Sequence, residues 1–432
     1  MSTRTNRHAM YRRTFLKTAT GGAAGLALGG LLPGKAPAQA RKSTVTIWAS
    51  HAGRNYEILT RLMGEFNQAT PDVEAKPTSF GSSEILPKYL AAVAGGAPPD
   101  IVNTPGFVPP DLASNKVIAP LDGLVKLDPT TYKNFDPITI YGGQRYGVPV
   151  NAGLGCMCYN QELMEKSGLD PTKLPETWDD LVAIAKKMTN EPEGQFGLVL
   201  SNQPGFESAQ MFYAYLLTAG GELIAADGKS IAFNSGAGLE TLTFLADNTN
   251  KHKISPVKPY TDIKAISEYG TRKIGACMLY PVLTANILAT KIRSMTKVVP
   301  RKVRHAAHFA GNYWCLSAAS KNKEAAAKFL QWWAQPAISG RFAGESGGLP
   351  NSQAAADHSN FKEFQAKNPL VQAYLDAIPV ARPFPAVVGL SAVLQIVSEM
   401  VEQAVIAGIP PKEALDKGAT RADQELKRAQ KA

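Results

Sequence analysis

Apolar and polar positions follow two rhythms along this chain. Residues 45–48, 73–77 and 99–102 are short apolar runs bounded by Gly, Pro or Asp, the pattern of strands. Between them, residues 56–69 place Leu59, Leu62, Met63 and Phe66 on one helical face. Residues 85–94 give a second helix closed by Gly95-Gly96. This alternation predicts a mostly parallel α/β sheet. The pattern then changes. An apolar run over 146–150 meets a polar joint, Asn151-Ala152-Gly153, and a buried strand follows over 154–159. Asn160 is placed to cap a short helix over 161–166, and Thr177 to cap one over 178–188. Asp179 and Asp180 sit at the positive end of that second helix. Such a succession reads as a chain crossing from one compact unit into another.

Beyond the crossing, the pattern predicts a strand over 196–200, a loop over 201–205 and a helix over 208–219 carrying Phe212, Tyr213 and Tyr215. Ser235 caps a helix reaching Asn248. A basic irregular stretch over 301–308 leads to a strand over 311–316. Asn322 caps a helix over 323–335, and Pro336 restarts it. One helix or two over 387–407 and a basic helix over 411–431, separated by Gly408 and Pro410, close the chain.

The totals fit two domains with substantial cores: 432 residues with 44% hydrophobic content. The formal charge of +10 lies partly in residues 1–40, which hold six basic and no acidic residues. The remaining 40 basic and 36 acidic residues are too balanced and dispersed for nucleic acid. Tyr11-Arg12-Arg13-Thr14-Phe15-Leu16-Lys17 is a twin-arginine export motif. An Ala/Gly-rich apolar stretch and the small-x-small sequence Ala38-Gln39-Ala40 follow it. Residues 1–40 are therefore expected to be a cleaved signal, giving a mature chain from Arg41. No cysteine precedes Cys156, so the expectation is a soluble periplasmic protein without a lipid tether. Cys156, Cys158, Cys277 and Cys315 read as small buried apolar side chains, with a Cys277–Cys315 disulfide left open.

Catalytic patterns are weak. Gly344-Glu345-Ser346-Gly347-Gly348 satisfies Gly-x-Ser-x-Gly, but a helix precedes it where a nucleophile elbow needs a strand. His305 and His308 lie in a basic segment without a carboxylate and read as solvated. Gly236 and Gly238 lack a third glycine and a preceding strand, and no credible acid–base pair is supplied.

The phrase GVPVNAG…CYNQELMEKSGLDP…PETWDDL resembles the crossover region of extracellular solute-binding proteins, the sugar-binding type that serve ABC importers. Gln161 stands where that family usually has Lys. The resemblance extends over most of the chain after residue 44. It includes Phe66 to Pro71, the Gly96-to-Asp100 segment, Phe233-Asn234-Ser235 and the glycine joint Gly344 to Pro350. It implies a two-lobe, maltose-binding-protein-like fold, each lobe a mostly parallel sheet flanked by helices. Residues 41–152 and 279–335 would form one lobe, and 153–278 with 336–432 the other. It also implies a carbohydrate or polyol ligand held between the lobes, membrane permease partners, a monomer and no cofactor.

Sugar recognition needs aromatic faces for ring C–H groups and polar side chains for hydroxyls, because an unpaired buried hydroxyl costs about 1–3 kcal/mol. The loops expected to face the cleft offer His51, Arg54, Asn55, Asn103, Phe107, Asn151, Gln203, Tyr213, Tyr280, Asn312, Tyr313, Glu345, Arg382 and Phe384. For Tyr213, Tyr280 and Phe384, core packing competes with this role. Glu345 and Arg54 read equally well as solvated. Trp48, Trp178, Trp332 and Trp333 are assigned to the core. One branch of the family binds glycerol-3-phosphate through an arginine in Gly-Leu-Arg-Leu-Gly. Here the phrase is Gly389-Leu390-Ser391-Ala392-Val393, and Gly348 replaces that branch's tyrosine. Both differences argue for a neutral ligand, with an acidic sugar left open by Arg54, Arg382 and His51. The rival reading is a periplasmic polysaccharide hydrolase or lyase, which requires converging carboxylates in the cleft.

Overall fold

The apolar runs become strands in the order β1 (Ser43–Ala49), β2 (Val73–Ser79), β3 (Ile101–Pro105), β4 (Ile140–Tyr141), β5 (Gln144–Arg145), β6 (Val148–Leu154), β7 (Cys156–Asn160), β8 (Ala276–Leu279), β9 (Ser294–Val298), β10 (Ala307–Leu316) and β11 (Ala381–Pro383). These come from a computed structural model that describes residues 42–82, 84–203 and 205–431. The export motif lies outside the described residues. In the first sheet β1 is parallel to β2 and β3, and β3 is antiparallel to β10. β10 is ten residues long, so it also pairs with β6 (antiparallel) and β11 (parallel). In the second sheet β7 lies antiparallel to β8 and β9. Parallel pairing beside it comes from the bridges Phe196↔Ile274 and Val199↔Cys277.

Each sheet has its own apolar core. The helix Gly53–Ala69 buries Leu59, Leu62, Met63 and Phe66, all at 1% exposure or less, against the first sheet and the helix Lys323–Trp333. Full burial of each such side chain is worth roughly 1.5–3 kcal/mol. Around the second sheet, Met157 and Tyr159 pack with the helices Phe206–Thr218, Gly236–Asn250, Leu390–Val405 and Pro411–Ala429. A third cluster follows β10 and includes Phe135, Phe309 and Tyr313. Among the described residues, no helix is long and apolar enough to cross a membrane.

The caps read from sequence form as expected at Asn160 and Thr177, the latter as a full capping box with Asp180. Four local expectations change. The polar joint Asn151–Gly153 is strand, because β10 pairs with it throughout. The break falls at Gly155, where a Cβ would lie 3.1 Å from Met278 Sδ. Residues 196–200 make only single bridges rather than a continuous strand. The Asn322 side chain donates to Thr44 O and Asp100 Oδ1 instead of capping its helix. His308 is fully buried, because β10 begins at Ala307, four residues before the expected strand and inside the basic stretch. All four cysteines are buried and free, and Cys277 lies opposite Cys158 rather than near Cys315.

Candidate functional site

Three segments meet where the chain passes between the sheets. β6 and β10 run side by side with Asn151 opposite Asn312, and a bulge follows at Asn312/Tyr313. Asn312 Nδ2 donates to Asn151 Oδ1 at 3.4 Å. The third segment is the glycine joint: Ala152 N–H donates to Leu349 O at 3.1 Å, and a Cβ on Gly348 would lie 3.6 Å from Asn151 Nδ2. Gly311 is fixed by sterics, since a Cβ there would sit 2.8 Å from Asn151 O. The Gly-x-Ser-x-Gly motif is a helix end followed by a turn. Ser346 closes the helix Pro336–Ser346 and Gly347 follows at φ +80°.

Tyr280 joins this junction. A Cβ on Gly153 would lie 3.8 Å from its ring and one on Gly155 3.6 Å from its hydroxyl. That hydroxyl is buried without a hydrogen-bond partner. Burial, with the charges of Asp262 and Glu207, pushes its pKa well up.

Phe107, Tyr213 and Phe384 come together in one aromatic group. Phe384 stacks on Tyr213 at 4.9 Å, meets His308 at 4.2 Å, and stands edge-on to Phe107 at 6.3 Å. Phe206 closes the group 4.5 Å from Phe107. The Tyr213 hydroxyl donates to Pro383 O at 2.9 Å, which fixes the ring. Both ring nitrogens of His308 lack partners, and burial lowers its pKa to about 3.

The other candidates are dispersed. The amide of Asn103 is occupied: Nδ2 donates to Tyr313 O at 3.2 Å and Oδ1 accepts the Ser50 hydroxyl. Tyr313 is fully buried beside Phe135, with its hydroxyl unpartnered. His51 packs edge-on to Phe342 at 5.3 Å, and burial lowers its pKa to about 4. Arg54 is exposed and Asn55 half-buried in the first turn of the helix Gly53–Ala69. Glu345 is ion-paired to Arg61, beside the Arg341–Glu65 pair. Gln203 is exposed, with its backbone N–H on Tyr260 O at 3.1 Å. Arg382 is exposed on β11, opposite His308.

The structure adds an acidic group that no spacing announced, because its members lie 55 to 61 residues apart. Asp262 N–H donates to Glu207 Oε2 at 2.9 Å, and the Ser201 hydroxyl donates to Asp262 Oδ1. Burial first, and the Glu207 charge second, push the Asp262 carboxyl up, while the Ser201 bond opposes this. Glu207 is pushed up by burial as well. Glu207 follows Phe206, so this group borders the aromatic one.

A family model described as bacterial extracellular solute-binding protein matches residues 50–338. The chain is 25% identical over 438 residues to the sn-glycerol-3-phosphate-binding periplasmic protein UgpB of Escherichia coli, covering 95% of this chain and 98% of that one. It is similar in structure to the cyclic alpha-maltosyl-1,6-maltose binding protein from Arthrobacter globiformis, at TM-score 0.79 and 24% identity, over 90% of this chain and 100% of that one. It also resembles UgpB from Mycobacterium tuberculosis in complex with glycerophosphocholine, at TM-score 0.80 and 20% identity, over 90% and 99%.

Proposed function

Because this chain belongs to the bacterial extracellular solute-binding proteins, we propose that it is the receptor of an ABC importer. It binds a carbohydrate or polyol between two lobes and delivers it to membrane permease subunits. The observation that carries this reading is the junction at Asn151. Three crossing segments converge there, between two sheets with separate cores. A ligand touching both sides is favoured only when they close on it, and that difference drives closure. The aromatic faces of Phe107, Phe206 and Phe384 suit sugar C–H faces, and the amides of Asn151 and Asn312 suit hydroxyls. The glycerophosphate and maltosaccharide ligands of its relatives are both polyhydroxyl compounds, which supports the same class here. The likeness to a periplasmic relative also supports work at a periplasmic membrane face, which the protein would do as a monomer. Residues 1–40 complete the proposal as a twin-arginine signal. The mass of the exported chain tests it, with Arg41 as the first residue.

The test is thermal shift against neutral sugars, polyols, sugar acids and glycerol phosphates, since a ligand that binds only the folded state raises the melting temperature. A neutral sugar or polyol is expected to raise it, and Asn151→Ala to weaken that ligand at least tenfold with its own melting temperature nearly unchanged. No shift from any compound sinks the carbohydrate reading. The Glu207–Asp262 pair keeps a second reading in view, because a glycosidase or lyase needs converging carboxylates. Incubation of the same sugars with purified protein separates the two: unchanged sugar supports the receptor, and cleaved product supports the enzyme.

A further inference from the structure

The helix Leu390–Val405 starts at Gly389, which has φ +91°. Its first turns pack into the second core through Leu390, Val393 and Leu394. Asp111 lies on the other side of the junction, in the short helix Pro109–Ser114. There Leu112 and Ala113 pack with Val102 and Ile118 beside the first sheet. The two sides meet through one carboxylate. Asp111 Oδ1 accepts the Gly389 N–H at 2.6 Å, and Oδ2 accepts the Ser391 hydroxyl at 2.6 Å. Asp111 takes part in no ion pair among the described residues. Among the described residues, its side chain bonds only to this helix end.

A helix N-terminus offers free N–H groups and the positive end of its dipole, so it attracts anions. Here the chain supplies the anion from the opposite sheet. Hydrogen bonds to an ionised acceptor are stronger than neutral ones. We propose that Asp111 is a charge latch. It holds the two lobes together across the cleft and fills, with its own carboxylate, the helix end that an anionic group of a ligand would need. The role of this contact as a closing device rests on the two-lobe receptor reading.

Two consequences follow from the geometry. Opening the cleft must break both bonds and return the carboxylate to water, so the balance between open and closed ligand-free protein depends on Asp111. A ligand bearing phosphate must displace Asp111 to reach this helix end, whereas a neutral ligand need not. Ser391 completes the latch with its hydroxyl. Phe107 against Phe206 adds an apolar contact across the same gap, which the latch variants leave in place.

The test uses ligand-free mature protein with one fluorophore on each lobe, comparing wild type, Asp111→Ala and Ser391→Ala by energy transfer. Asp111→Ala is expected to shift the open-to-closed ratio roughly tenfold or more toward open, and Ser391→Ala to shift it less in the same direction. Inorganic phosphate is expected to raise the melting temperature of Asp111→Ala and leave that of wild type unchanged. Unchanged energy transfer in both variants overturns the latch. Phosphate stabilising wild type as much as the variant overturns the charge screen. If Asp111→Ala fails to fold, Ser391→Ala alone decides the latch. None of these readouts needs the transported solute, so a failed latch and a failed search for a sugar ligand are told apart: the first shows in energy transfer, the second in the thermal-shift panel.

Discussion

The two walls of the junction answer their carboxylates in opposite ways. On the first-sheet side, Asn103 spends its amide on Ser50 and on Tyr313 O, and Glu345 spends its carboxylate on Arg61. On the other side, the Tyr280 hydroxyl has no partner, and Glu207 and Asp262 lie together with no cation among the groups that shift them. His308, on the crossover strand, leaves both ring nitrogens unpaired. Groups with protein partners hold the fold. Unpaired buried groups, which cost free energy until something answers them, stand on both sides, Tyr313 and His51 on the first and Tyr280 on the second, so the walls differ in whether a cation answers their carboxylates.

Removing a side chain from each wall separates these roles. Phe384 is 3% exposed and touches Tyr213, His308, Phe206 and Phe107. Phe384→Ala opens a cavity worth about 3–5 kcal/mol of stability and removes a face from the cleft, so affinity falls with it. Asn103→Ala leaves the Ser50 hydroxyl and Tyr313 O unpaired, at about 1–3 kcal/mol. Its affinity for the solute, measured by calorimetry below the melting transition, should change less than twofold. An equal loss of affinity in both variants would erase the distinction between the walls.

That distinction explains what the sequence could and could not reveal. Period and caps are local, so the helix over 85–94, the Thr177 box and the Asn160 cap were legible from neighbours alone. Asn151 and Asn103 stand out in the sequence as amides at strand ends with no obvious packing use, yet the Asn103 amide is taken by Ser50 and Tyr313 O. The partners of Asn103 and Glu345 lie 53, 210 and 284 residues away, and only the folded register brings them together. Asp111 gave no signal for the same reason, since its partners Gly389 and Ser391 lie beyond 270 residues of intervening chain. His308 was misread because a charged neighbourhood in sequence is no measure of burial when a strand starts within it.

The buried titratable groups should also divide by their response to pH. His308 has a folded pKa of about 3 against 6.5 in the unfolded chain, so between those values only the unfolded state takes up the proton. Its contribution is intact above pH 6.5 and lost as the pH falls, by about 1.4 kcal/mol per unit. Asp262 runs the other way. Its folded pKa is raised, so its contribution is fully present below the unfolded value and is lost as the pH rises through the folded one. Asp262→Asn, which stays neutral throughout, should therefore gain stability over wild type at pH 8 and lose that advantage near pH 4. Urea melts of both proteins at the two values decide it. A difference independent of pH would mean that the acid pair is fully ionised in the native state.

The smallest effect is expected on the first wall, and it is the sharper check because the geometry there looks rich. Glu345 joins Arg61, which also pairs with Glu65, and Glu65 in turn holds Arg341. The Glu345 side chain is nevertheless 30% exposed and that of Arg61 46% exposed, so water screens the pair. Exposed pairs contribute about 0–1 kcal/mol, and Arg61 keeps Glu65 when Glu345 is lost. Glu345→Gln should thus lower stability by less than about 1 kcal/mol, shrinking further at high salt, and leave solute affinity within twofold. A tenfold loss of affinity would show that Glu345 leaves Arg61 to reach the solute in the bound state. The first wall would then hold its recognition groups in reserve behind ion pairs, and the contrast between the walls would describe only the ligand-free protein.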